Sequence, residues 1–181
     1  MRQAIWAIVI VALGGCQTHD LLHRSRPDET MFGPVSMRLH PTFTEVKDWT
    51  GDKKPDGIEA VVELQDQFGD PTRATGRVIF ELYGYRFAAP DPKGIRVAGP
   101  WIGSLAGKDD QIAHWNSAIR GYSFQLAFPT VSKDRNYVLT AEFDLGDRGR
   151  LFDQVVIEGN NQNGKGAGRR PVHAPVQDPS H

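Results

Sequence analysis

The chain has 181 residues, a formal net charge of −1, 39% hydrophobic and 9% aromatic residues, and a single cysteine. That balance leaves no basic footprint for nucleic acid, and one cysteine rules out an internal disulfide. Nineteen glycines and twelve prolines point to many turns and little helix, with apolar content enough for one core.

At the start, Arg2 leads into the apolar run Ala4–Leu13, then Gly14, Gly15 and Cys16. Ten apolar residues are too few to cross a bilayer, which takes about 20 in a helix. They match the roughly 7–15 apolar residues of a secretory signal. A core helix of this length would also carry a polar stripe, and this one has none. The sequence Leu13-Gly14-Gly15-Cys16 resembles the lipobox of bacterial lipoproteins. The resemblance implies removal of residues 1–15 as a signal peptide and acylation of the Cys16 thiol and new amino terminus by palmitate-like chains. The expected first partner is therefore a lipid bilayer, held through Cys16 and facing the periplasm. Loss of Arg2 leaves 20 basic against 22 acidic residues, or −2. In such families an aspartate after the cysteine marks retention on the inner membrane. Gln17 stands there instead, which favours the outer one.

Residues 16–34 are polar without sustained periodicity and read as a lipidated flexible tether. Residues 159–181 have no aromatic side chain and only scattered valines, too little apolar area to offset ordering entropy, and read as a disordered tail. Between them residues 35–158 have a common single-domain size. There the apolar period is two, not 3.6. Ile58–Gln65, Val78–Tyr83, Tyr122–Pro129 and Tyr137–Leu145 alternate most clearly, and Val35–Leu39, Ile95–Val97 and Val155–Ile157 are weaker members. In the clear cases one apolar face alternates with one polar face, as in antiparallel sheets covered on one side. Gly69-Asp70-Pro71 and Gly146-Asp147-Arg148-Gly149 are turn signals, the second joining two strands as a hairpin. Only Asp109–Trp115 reads as helix, with acids in its first turn. The expected fold is all-β: a single two-sheet antiparallel β-sandwich of about seven strands with one short helix. Val78, Phe80, Leu82, Phe124, Leu126, Leu139 and Phe143 should face one core.

The stretches Asp56-Gly57-Ile58-Glu59, Gly69-Asp70-Pro71, Gly76–Tyr83, His114-Trp115 and Gly121–Phe124 resemble a family of small bacterial lipoproteins. Its members carry one immunoglobulin- or fibronectin-III-like sandwich and have no established activity. The resemblance spans roughly residues 38–157 and implies the fold, with no function attached.

Candidate chemistry is sparse. Asp52–Gly57 has the look of a calcium loop, in which carboxylates and carbonyls wrap the ion around a glycine turn. Lys54 occupies a position where the EF-hand pattern needs Asp or Asn. That leaves Asp48, Asp52, Asp56 and Glu59 as an irregular, weak metal set, against a solvated turn. Asp110 and His114 lie one helical turn apart. They supply fewer ligands than zinc requires and read as a local salt bridge, with Trp115 inserted in the sandwich. Ser123 begins an elbow-like Gly121-Tyr122-Ser123 but lacks the second glycine and lies within a strand. Gly164–Gly168 has no helix behind it to make a phosphate cradle. Trp49 and Trp101 are candidates for stacking on sugar rings, Trp101 the more exposed after Gly99-Pro100.

No catalytic residue, cofactor or metal is assigned on this basis. The reading is a membrane-anchored, non-enzymatic envelope lipoprotein that binds or assembles with an envelope protein or glycan, and not with nucleic acid. The alternatives are a carbohydrate-binding or calcium-stabilised sandwich and, behind them, an envelope enzyme using Asp109, Asp110 and His114.

Overall fold

The computed structural model describes residues 31–159. The signal-like stretch, Cys16, the tether up to residue 30 and the tail from residue 160 lie outside the described residues. The last residues assigned to the tether lie against the domain. The Thr72 hydroxyl donates to the Phe32 carbonyl at 2.8 Å, and the Phe32 ring lies 6.1 Å from that of Phe68.

Among the described residues ten strands form two antiparallel sheets. The first sheet runs in the order β1 (Ser36–Leu39), β3 (Gly57–Gln65), β8 (Gly121–Ala127), β7 (Trp115–Asn116). The short β2 (Glu45–Lys47) and β4 (Pro71–Thr72) also pair with β3. The second sheet runs β10 (Arg150–Ile157), β9 (Tyr137–Asp144), β5 (Arg77–Tyr85), β6 (Lys93–Ser104). A seven-residue helix, α1 (Lys108–His114), links β6 to β7. The seven longer strands are those that alternation predicts. The three extra ones have two or three residues each, too short for a period of two to register.

The core follows the alternation. Val78, Phe80 and Leu82 of β5, Tyr122, Phe124 and Leu126 of β8, and Leu139, Ala141 and Phe143 of β9 are all buried between the sheets. Burial of each large side chain contributes about 1.5–3 kcal/mol. Strand β3 departs from the pattern, because Val61 and Glu63 on its polar face are buried as well. This strand is hydrogen-bonded along both edges, and the loop between β1 and β2 closes on it. His40 N–H donates to the Val61 carbonyl at 2.8 Å, and Val61 N–H donates to the Thr44 hydroxyl at 3.2 Å.

Glu63 keeps its charge there through Arg38, whose guanidinium donates to it at 2.8 Å, and through Gln65 at 2.8 Å. Burial pushes the Glu63 carboxyl up, but those hydrogen bonds and the Arg38 and His40 charges outweigh it, so its pKa falls below the ordinary 4.5. A carboxyl with a lowered folded-state pKa stabilises the fold fully above its unfolded pKa. That contribution is lost as the pH falls through the folded one. Glu63→Gln should therefore flatten the acid limb of the stability profile below the ordinary glutamate value, as read from urea midpoints against pH. An unchanged acid limb would contradict this assignment.

Strand β6 also departs from expectation. Ile95 and Val97, read as a weaker member of the alternating strands, are 85% and 43% exposed. The physical reason is that the first sheet does not reach over this part of β6. Among the described residues β6 is also the terminal strand of its sheet, with no partner on its outer side. Its pairing with β5 shifts register three times, and a cis Gly99–Pro100 bond interrupts it. Bulges and a proline of this kind blunt an edge that would otherwise template pairing with other chains.

The two flanks of the sandwich differ. On the β1/β10 flank, Leu39 N–H donates to the Asp153 carboxylate at 2.7 Å and ties the sheets together. On the other flank β7 stops after two residues, so among the described residues the β8 edge away from β3 has no strand neighbour beyond Tyr122. Helix α1 plugs part of that opening. The Gln111 amide donates to the carbonyls of Ala74 and Leu105 at 2.8 Å each, and its oxygen accepts from the buried Tyr122 hydroxyl at 2.6 Å. The unplugged remainder is a cleft.

Candidate functional site

The cleft holds about 450 Å³ between β6 and the free edge of β8, a size suited to a small ligand or a peptide side chain. Phe80, Phe124 and Leu126 form its apolar floor, Pro100–Ser104 one wall, and Gln125 part of the other. Trp101 stands at one end, Asp110 and His114 at the opposite one. Gly103 brings β6 this close to the floor, since a Cβ there would run into the Phe124 ring and lie 3.0 Å from Val78.

Side chains satisfy part of the free β8 edge. The Trp101 indole N–H donates to the Ala127 carbonyl at 3.2 Å. His114 Nδ1 lies 2.9 Å from the Ser123 carbonyl. A carbonyl can only accept, so Nδ1 carries the proton in this contact. The imidazole stacks on Phe124 with ring centroids 4.3 Å apart. Alternate residues of a strand present their main-chain groups to the same edge, so Gln125, midway between Ser123 and Ala127, offers its N–H and carbonyl to the cleft.

Asp110 does not form the salt bridge with His114 that the helical spacing suggests. Its carboxylate turns back along the chain, where Oδ2 accepts from Gly107 N–H at 3.1 Å and from the Ser104 hydroxyl at 2.9 Å. A side chain three residues into a helix that captures the preceding N–H is a capping arrangement, and it fits the acid-rich start of the helix. Those two hydrogen bonds, the Gly107 one foremost, hold the Asp110 carboxyl below the usual carboxylate range. Trp115 closes the helix rather than entering the core fully. It is half-buried, packs edge-on to Tyr122 at 5.0 Å, and has the Arg73 guanidinium 4.2 Å above its ring.

The carboxylates of the calcium-like loop are engaged by the loop's own main chain. Asp48 accepts from Gly51 and Lys53 N–H at 2.6 and 2.7 Å. Asp56 accepts from Trp49 and Thr50 N–H at 2.7 and 3.0 Å, and Asp52 accepts from Lys54 N–H at 2.8 Å. Glu59 accepts from the Trp49 indole at 3.4 Å. Among the described residues no group of three or more His, Cys, Asp or Glu side chains converges to hold a metal ion. The two tryptophans are not brought together either. Trp49 lies over Gly57 on the outer face of the first sheet, whereas Trp101 bridges the sheets at the open flank.

Sequence reasoning finds three members of the cleft, Trp101, Asp110 and His114, without showing that they share it. Gln125 and Ser104 escape it, because a free strand edge depends on how far the neighbouring strand runs, and no local motif records that. Comparison with known proteins gives no matching family model, no matching curated protein and no matching solved structure. The class is therefore defined by architecture alone: a two-sheet antiparallel β-sandwich with one open flank. Among the described residues no helix is long and apolar enough to cross a membrane.

Proposed function

We propose that this chain is a lipid-anchored, non-enzymatic binding or assembly module of the cell envelope, engaging its partner through the cleft between β6 and β8. The anchoring rests on the lipobox-like Leu13–Cys16 and on the resemblance to small sandwich-bearing lipoproteins. The observation that carries the binding role is the cleft itself. It has an apolar floor and main-chain groups on a strand edge that no described strand pairs. An extended segment adding to such an edge gains affinity from the main chain and specificity from the pocket.

The glycan and calcium readings rank below it, because Trp49 and Trp101 lie apart and the loop carboxylates already accept main-chain N–H groups. An envelope enzyme using Asp109, Asp110 and His114 ranks lower still, because the Asp110 carboxylate is committed to Gly107 and Ser104. A photo-crosslinking residue at Ile102, which lines the cleft and is 63% exposed, should trap a discrete partner in cells. The same residue at Phe152, 66% exposed on the opposite edge strand, should not. Equal capture at both positions, or none at Ile102, would overturn the proposal.

A further inference from the structure

The chemistry lining the cleft is one-sided. Among the described residues that line it, Asp110 alone carries a fixed charge, and its Oδ2 is the oxygen held by Gly107 and Ser104, which leaves Oδ1 for another donor. The Gln125 main-chain carbonyl is a second acceptor, on the strand edge, while the His114 ring is turned to the Ser123 carbonyl through Nδ1. Beside these acceptors stands the half-buried Trp101 ring, over a floor formed by the buried Phe124 and Phe80. A site with a carboxylate, a separate main-chain acceptor and one accessible aromatic ring suits a planar cation with several N–H donors and an apolar stem. Guanidinium fits better than ammonium, because its fork serves separated acceptors and its plane stacks on aromatic rings.

We propose that the cleft recognises an arginine side chain presented by an extended peptide. The guanidinium meets the Asp110 carboxylate, the stem lies along Trp101, and the peptide's main chain bonds to Gln125. This deepens the binding-module reading and rests on it.

The test is a titration of the full chain in detergent micelles, followed by amide and indole N–H resonances. The probes are Nα-acetyl-arginine methylamide, its citrulline counterpart (same shape, no charge) and free arginine. The blocked arginine should shift the Trp101 indole and Gln125 amide signals. Citrulline should bind about tenfold more weakly, as should arginine to Asp110→Asn, the loss expected for one charge-assisted hydrogen bond. Asparagine keeps an oxygen for Gly107 and Ser104. A second variant, Trp101→Leu, should weaken arginine roughly threefold through the lost stacking, which keeps the test decisive if Asp110→Asn folds poorly. Equal binding of citrulline, or no shift with any probe, would overturn the arginine assignment. Free arginine binding as well as the blocked form would overturn the peptide half. Each of these failures leaves cleft-dependent crosslinking at Ile102 intact, whereas loss of that crosslink removes the binding reading beneath it.

Discussion

Phe143→Ala should destabilise the domain by about 3–5 kcal/mol, the cost of emptying a buried aromatic site. A typical domain has only about 5–15 kcal/mol in all. Phe143 is fully buried in the middle of the second sheet, opposite Val78 on β5 and Leu151 on β10. Gly76 is packed against the ring, for a Cβ there would lie 2.6 Å from Phe143 Cε1 and 2.5 Å from the Asp144 carbonyl. With strands hydrogen-bonded on both sides of β9, the backbone has little freedom to collapse into the void, which places the cost toward the upper end. Phe152→Ala is the matched control. The same side chain is deleted one strand away, but the ring is 66% exposed, and the change should stay within about 0.5 kcal/mol. Urea denaturation followed by tryptophan fluorescence measures both. A Phe143→Ala loss below about 1 kcal/mol would contradict the packing described.

That contrast also marks where the sequence is legible and where it is not. Alternation places Phe143 inside because β9 is half-covered, the situation in which a period of two is informative. It fails at Val61 and Glu63, because burial there comes from chain far away in sequence, the His40–Thr44 loop and Arg38. It fails again at Ile95 and Val97. Their residue types favour a strand, but whether a strand face is covered depends on what the opposite sheet places there. The candidate site shows the same division. The one-turn spacing of Asp110 and His114 is visible in the sequence, yet spacing cannot tell that Ser104 and Gly107 capture the carboxylate while the imidazole turns to Ser123. Trp101 after Gly99-Pro100 is likewise visible as an edge residue. Its bond to Ala127 becomes apparent only once the open flank is known.

Cys16→Ser should move the protein from the membrane fraction to a soluble or uncleaved precursor pool, with loss of acyl labelling. The motive is the apolar run Ala4–Leu13 followed by Gly14, Gly15 and the only cysteine in the chain. The size of the effect follows from chain arithmetic. Each buried methylene contributes about 0.8 kcal/mol, one acyl chain alone gives only marginal, reversible binding, and two or more give a stable anchor. The three chains usual for such lipoproteins lie far past that threshold. Serine cannot form the thioether that carries two of them, so the response should be close to all-or-none. Among the described residues no helix is long and apolar enough to span a membrane in its place, and residues 16–181, at −2 by residue count, have no strong positive charge to hold them on an anionic surface. Fractionation with labelled fatty acid reads both parts at once. Unchanged partitioning together with unchanged labelling would refute lipidation at Cys16. Unchanged partitioning with labelling lost would leave the modification standing and shift the search for the membrane contact to the sandwich itself, where the exposed side chains of β6 would be the first to substitute.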